Sequence, residues 1–201
     1  MSYLIAITGG IGAGKSVVCR MLTTLGYDVY DCDSRAKSLI DGDRHIKRRI
    51  AEEVCMEALS PDGKIDRRRL GSHVFNNPKS LMALNAITHA AVRADIRHWA
   101  ENKKLGFVET AIFNESGLGE MVDEVWTVEA PEEVRISRVI ARNGLSREEV
   151  ISRIHSQSSP LVKGMPHHML VNDDRTSLLE QILPLLSSAR KRADEKSKTE
   201  V

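Results

Sequence analysis

Tyr3-Leu4-Ile5-Ala6-Ile7-Thr8-Gly9-Gly10-Ile11-Gly12-Ala13-Gly14-Lys15-Ser16 is the stretch that decides the fold. It opens as a short unbroken apolar run, Tyr3 to Ile7, the pattern of a strand covered on both faces in a parallel sheet. The run stops in glycines, and a helical segment follows from Lys15 to Leu25, closed by Gly26 where a helix-ending glycine belongs. Between strand and helix, Gly9 to Ser16 satisfies G-x-x-x-x-G-K-[ST]. A phosphate chain bound there lies against successive backbone N–H groups. Side chains would obstruct it, and glycines permit the positive-φ turns that such a loop needs. The helix beginning near Lys15 points the positive end of its dipole at the same anion. Lys15 is expected to reach β- and γ-phosphates, and the Ser16 hydroxyl to ligate Mg²⁺. A dinucleotide-binding G-x-G-x-x-G starting at Gly10 fails, because its last glycine would fall on Lys15.

Working outward, Tyr27 to Tyr30 reads as a second strand opening onto Asp31-Cys32-Asp33. Strand, glycine-rich turn, helix and strand in about thirty residues is a βαβ unit and implies an α/β fold with a parallel sheet. From Ser34 to about Lys104 helical periodicity dominates, and the long run from Leu81 through Ile96 repeats apolar residues at three and four. Strands resume at Leu105–Glu109 and at Val122–Val128. Pro131 to Arg142 is a helix with acids in its first turn, stopped by Asn143-Gly144. Ser146 with Glu149 makes a capping box for the next helix, through about Gln157. Met169 to Val171 is a short last strand, Leu178 to Ala189 a final amphipathic helix, and the charged tail from Lys191 is expected to fray. The expected architecture is a five-stranded parallel sheet flanked by helices, with a core built from 1–33, 105–137 and 158–190. A helical insertion at 34–104, a lid at 138–157 and a tail at 191–201 complete it.

The balance of 29 basic and 28 acidic residues, net +1, supplies no global field to draw in nucleic acid or an anionic membrane. At 4% aromatics there is little material for stacking single-stranded bases. The cysteines, Cys19, Cys32 and Cys55, form no C-x-x-C, which argues against a disulfide framework or a zinc site and fits a reducing cytosol. No apolar run reaches the roughly 18 residues of a membrane span, and no secretory signal is present.

A phosphate loop alone does not separate a kinase from a nucleotide switch. Asp31 and Asp33 follow the second strand, at the edge where doubly wound sheets bind ligands. A small-molecule kinase needs a carboxylate to orient the attacking hydroxyl and accept its proton, and Asp33 is the choice for that role. Asp33 also fits the N-cap of the helix that follows it. Arg135, Arg138 and Arg142 share one face of a helix. A basic helix leading through Asn-Gly into a second short helix resembles the lid of nucleoside-monophosphate-type kinases, which brings arginines onto the migrating phosphoryl group. Glu109 ends its strand where a carboxylate could hold a magnesium-bound water. Asp123 starts its own strand and belongs at the opposite edge.

At this point the whole chain resembles the dephospho-coenzyme A kinase family. The resemblance rests on Ile7 to Ser16 against T-G-G-I-G-[SA]-G-K-S, and on Leu25 to Asp33 against L-G-x-x-V-x-D-x-D. Ile65 to Gly71 with Val74-Phe75, and Leu84 to His89 with Arg93, extend it. So do Arg138, Arg142, Ser146, Glu149, Arg153 and Gln157 in the lid, and Asn172 after the last strand. Departures are Val17 for a threonine, Ala90 for a proline, Ala111-Ile112-Phe113-Asn114-Glu115 for P-L-L-F-E, and His167-His168 for Ala-Asp. The two histidines read as surface residues, since neighbours in an extended chain point apart.

The resemblance implies ATP and 3′-dephospho-coenzyme A as substrates, with Mg²⁺ bridging the β- and γ-phosphates. It places Asp33 and Lys15 in catalysis with Arg138 and Arg142. The nucleotide falls to Gly10, Ile11, Gly12, Ala13, Gly14, Lys15, Ser16 and Val17, again with Arg142. Asp31, Asp33, His89, Arg93 and Glu109 fall on the substrate side, with the acceptor held by the helical insertion. Read from spacing alone, the loop and lid equally fit another small-molecule or nucleoside-monophosphate kinase. A non-catalytic nucleotide-dependent switch is the reading that the aspartate pair disfavours.

Overall fold

The computed structural model describes residues 2–157, 162 and 164–199. Its sheet is built from β1 (Tyr3–Thr8), β2 (Val29–Asp31), β3 (Leu105–Glu109), β4 (Glu124–Glu129) and β5 (His167–Val171), in the order β2-β3-β1-β4-β5. The helices are α1 (Lys15–Thr24), α2 (Cys32–Gly42), α3 (Arg44–Glu53), α4 (Arg67–Phe75), α5 (Pro78–Ala100), α6 (Phe113–Ser116), α7 (Glu132–Asn143), α8 (Arg147–His155) and α9 (Leu178–Thr199). Strand pairing is parallel, with Ile7 of β1 facing Glu109 of β3 and Trp126 of β4. The central strand β1 is buried at every position, which is why its sequence is apolar without alternation.

The chain divides into two compact units, Met1–Tyr30 with Ala100–Val201, and Asp31–Trp99. In the first, Ile5, Ile7, Phe107, Trp126, Val128 and Leu170 from the sheet pack with Val18 and Leu22 of α1 and Ile182, Leu186 and Ala189 of α9. Phe107 is the pivot of the few aromatics: Tyr27 meets its ring edge-on at 5.5 Å and Trp126 tilts against it at 5.4 Å. Emptying that position by Phe107→Ala would cost on the order of 3–5 kcal/mol. The second unit has its own apolar centre, Ile46, Ile50, Val54, Ala58, Ile65, Leu70 and Ile87. Aspartates start its helices: Asp43 accepts from the N–H groups of His45 and Ile46, and Asp66 from those of Arg68 and Arg69.

Several sequence expectations need correction. The tail does not fray from Lys191: α9 continues to Thr199, with Ala189 and Ala193 buried. Glu124, fully buried at the start of β4, explains it. Arg192 of α9 donates to the Glu124 carboxylate from Nη2, at 2.7 and 2.9 Å to its two oxygens, and from Nε at 3.1 Å. Tyr3 Oη and Trp126 Nε1 donate to the same group at 2.9 and 2.8 Å. One turn on, Lys196 reaches Asp123 at 2.6 Å. A composition that reads as solvated is thus spent on a buried acid that periodicity does not reveal.

β5 starts two residues earlier than expected, at His167, and its histidines are not both surface groups. His167 lies exposed beside the Thr127 hydroxyl at 2.8 Å, while His168 is half-buried, 3.2 Å from Glu124. Of the expected 158–190 segment of the core, residues 158–161 and 163 lie outside the described residues, as do 200 and 201 of the tail.

Candidate active site

The loop after β1 has the backbone its glycines permit. Gly9, Gly12 and Gly14 sit at φ of 145°, 77° and 99°, where L side chains are strained. Space forbids side chains there as well. A β-carbon on Gly9 would strike the Val128 carbonyl, and one on Gly12 would lie 2.7 Å from the Arg135 carbonyl. Ala13 N–H donates to the Gly10 carbonyl at 3.2 Å, and the N–H groups of Val17 and Val18 to that of Gly14, at 2.9 and 3.4 Å. The N–H groups of Gly12, Gly14 and Ser16 donate to nothing among the described residues. Together with the start of α1, they form the set of donors that an anion takes. Lys15 Nζ lies along the loop, 2.8 Å from the Gly9 carbonyl.

Two clamps hold this loop. On one side, Arg138 of α7 donates to the carbonyls of Gly12 and Ala13 at 3.3 and 3.5 Å, to Asn172 at 3.1 Å, and to Asp174 at 2.5 Å. Asn172, just past β5, donates its own amide to the Ala13 carbonyl at 2.8 Å. On the other side, Arg135 Nε donates to the Ile11 carbonyl at 2.9 Å, and the Ile11 N–H donates to Gln157 Oε1 at 2.7 Å. The Ile11 side chain packs into the small apolar core of α7 and α8, formed by Ile136, Val139, Val150 and Ile154. The capping box read from the sequence is present, with Ser146 and Glu149 bonded reciprocally, and fixes the turn between those helices.

A cavity of about 380 Å³ opens beside the first half of the loop. Gly9 and Gly10 form one wall, Ala111–Glu115 after β3 another, and Glu129, Arg135 and Gln157 close it. The arginine that lines it is therefore Arg135, one of three on a single helical face. Burial holds the Arg135 guanidinium below the ordinary arginine pKa, with Glu132 and Glu129 opposing that shift. Arg142, singled out from the same stripe, is exposed and donates to its neighbour Asn143 at 2.8 Å. No hydrogen bond or ion pair joins Arg142 to the loop among the described residues. Gln157 is marked in sequence by the family resemblance, whereas Arg135 is marked only by helical spacing, which does not say which of three arginines lines the cavity.

Glu109 is half-buried at the end of β3, in register with Ile7 at the end of β1. Asp123 lies at the start of β4 and accepts the Leu4 N–H at 2.8 Å, at the opposite edge from the loop, as its sequence position implies. Val17 is half-buried and packs against the core of the first unit. The Ser16 hydroxyl is exposed at the first turn of α1 and makes no hydrogen bond among the described residues.

In the second unit the two aspartates differ in what they engage. Asp31 is the N-cap of α2, accepting from the Ser34 N–H at 3.1 Å and the Ser34 hydroxyl at 2.6 Å. Asp33 stands in the first turn, exposed, with no hydrogen bond or ion pair among the described residues. His89 and Arg93 are half-buried one turn apart on α5. Among the described residues no three His, Cys, Asp or Glu side chains converge as a metal cage, and no helix is long and apolar enough to cross a membrane.

Known proteins resemble this chain over most of its length. A family model described as dephospho-CoA kinase matches residues 3–188. A dephospho-CoA kinase of Carboxydothermus hydrogenoformans is 35% identical, over 91% of this chain and 92% of its own. One from Porphyromonas gingivalis is 36% identical, over 92% and 94%. Among solved structures, a Thermus thermophilus protein superposes with a TM-score of 0.71 at 32% identity, covering 100% of this chain and 98% of its own. Dephospho-CoA kinase from Campylobacter jejuni superposes with a TM-score of 0.60 at 25% identity, over 100% of both.

Proposed function

The chain belongs to the dephospho-CoA kinase family, and from that premise we propose how its own residues carry the reaction. A kinase of this kind moves the γ-phosphate of ATP to the ribose 3′-hydroxyl of 3′-dephospho-coenzyme A, giving coenzyme A and ADP. The phosphoryl group carries most of the developing charge, so catalysis is chiefly positioning and electrostatic stabilisation. Here the loop donors of Gly12, Gly14 and Ser16 and the Lys15 ammonium hold the β- and γ-phosphates. Arg138, fixed against the loop carbonyls and Asn172, keeps the second half of the loop in place and adds positive charge beside it.

Asp33 orients the 3′-hydroxyl and accepts its proton. The observation that carries this assignment is the contrast between the two aspartates: Asp31 is consumed as a helix cap, whereas Asp33 is exposed and unengaged among the described residues. His89, Arg93 and Glu109 are the proposed substrate-side contacts. The helices α7 and α8 exclude water from the transfer, which strengthens each charge interaction within.

The donors present suit Mg²⁺. That ion keeps several waters and takes few protein oxygens, and the Ser16 hydroxyl beside the phosphate donors is such an oxygen, unengaged among the described residues. Ser16 would hold the ion, with Glu109 holding one of its waters. When bound, Mg²⁺ would supply neutralisation of charge on the β- and γ-phosphate oxygens.

Asp33→Asn tests the assignment. It should lower kcat by roughly 10²–10⁴-fold, the usual contribution of general acid–base catalysis, with ATP affinity and melting temperature preserved. A variant with near-normal kcat would remove Asp33 from the mechanism.

A further inference from the structure

Ile11 is held by both of its backbone polar groups and by its side chain, and every partner comes from the α7–α8 segment. Its carbonyl accepts from Arg135 Nε at 2.9 Å, its N–H donates to Gln157 Oε1 at 2.7 Å, and its side chain lies in the α7–α8 apolar core. Gly10 is part of the same arrangement, because a β-carbon there would collide with the Arg135 guanidinium. Arg135 also approaches Gln157, at 3.5 Å, so the two side chains close around the loop together.

The consequence concerns the next peptide. The Ile11 carbonyl and the Gly12 N–H belong to one amide. A cation hydrogen-bonded to that oxygen draws electron density from the nitrogen and makes the N–H a stronger donor. That N–H donates to nothing among the described residues. The Gln157 bond fixes the preceding peptide, so the loop cannot rotate to satisfy Gly12 elsewhere. A guanidinium drawn partly out of water costs solvation, and the charge-assisted bond to the carbonyl is what offsets it here.

We propose that Arg135 and Gln157 are a positioning pair for nucleotide binding: they lock Ile11 and polarise the Ile11–Gly12 peptide towards the phosphates. The inference rests on the proposed binding of ATP by this loop, and it makes α7–α8 part of the phosphate site. Because the pair acts through the loop, its effect falls on ATP and not on the acceptor.

Steady-state kinetics of Arg135→Ala, Arg135→Lys and Gln157→Ala, with melting temperatures and calorimetric ATP binding, provide the test. Arg135→Ala should raise KM and Kd for ATP about tenfold or more, as loss of a charge-assisted bond implies. KM for dephospho-coenzyme A should stay within about twofold. Arg135→Lys, which keeps a charged donor, should recover most of the loss. Gln157→Ala, at an exposed position two residues past α8, should keep the melting temperature and raise KM for ATP alone by a smaller factor. The double variant should fall short of the product of the two, since both act on Ile11. Unchanged ATP affinity in Arg135→Ala or Gln157→Ala would overturn the proposal, as would a fall in kcat alone or a rise in KM for the acceptor. Failure of the underlying reading shows differently, as absence of dephospho-coenzyme A phosphorylation by the unaltered protein.

Discussion

Asn172 occupies the space that Gly14 leaves open. The asparagine amide donates to the Ala13 carbonyl at 2.8 Å, and a β-carbon on Gly14 would run into that same nitrogen. The loop glycine therefore has two reasons to be glycine. Its φ of 99° suits the turn into α1, and its bare α-carbon admits a residue from the far side of the sheet. The asparagine after the last strand and the last loop glycine are a single structural device, although their positions differ by 158 in the chain.

Gly14→Ala should accordingly destabilise the protein by about 2–4 kcal/mol, combining backbone strain with displacement of Asn172, and should abolish measurable ATP binding. Gly26→Ala is the control: its φ is 87°, but nothing lies within 4 Å of an added β-carbon. That change should cost about 1–2 kcal/mol and leave ATP affinity as it was. Denaturant unfolding and calorimetric titration read both quantities. Equal losses of ATP affinity in the two variants would reduce the Gly14 effect to general instability.

Arg192→Ala tests the buried acid that anchors α9. It strips Glu124, which is fully buried, of the one Arg or Lys side chain that pairs with it among the described residues. Breaking such a pair costs about 3–5 kcal/mol when fully buried, and about 2–4 kcal/mol is expected here because Arg192 keeps some solvent contact. The melting temperature should drop while kcat, measured well below it, is retained. A negligible stability change would mean that the end of α9 does not hold the sheet.

Tyr3 sets a limit at high pH. Its burial, reinforced by the hydrogen bond to the Glu124 carboxylate, pushes its phenol up to about 12 from an ordinary value of 10.0. A folded-state pKa above the unfolded one means that the folded protein keeps the proton longer. Stability from this group is complete below pH about 10 and is lost as pH rises towards about 12. Unfolding free energy measured across that window should fall more steeply for the unaltered protein than for Tyr3→Phe. Parallel slopes would show that Tyr3 ionises as freely folded as unfolded.

The parts legible in sequence are those governed by local physics. Strand β1, the loop glycines, the helix stop at Gly144 and the Ser146–Glu149 box each follow from spacing or from a backbone requirement, and the structure contains them. Arg135 and Arg142 show where local reading stops. They lie on the same helix at equal plausibility, and only packing against Ile11 decides that Arg135 turns to the loop while Arg142 stays in water. Residues beyond 190 show the same limit. A run of Arg, Lys, Asp and Glu reads as solvated until Glu124, far away in sequence, supplies a buried partner. Asp33 fits the cap of the next helix in sequence, but Asp31 two residues before it takes that place, and Ser34 settles it with two hydrogen bonds to Asp31.

The most direct test of the whole account is to incubate the protein with γ-labelled ATP, Mg²⁺ and 3′-dephospho-coenzyme A, beside AMP, adenosine and no acceptor, and to locate the label. Label is expected on the ribose 3′-oxygen of coenzyme A, with one ADP formed for each and only background turnover in the other three mixtures. Label released as inorganic phosphate at the same rate with and without acceptor, or transferred to AMP in preference, would contradict it.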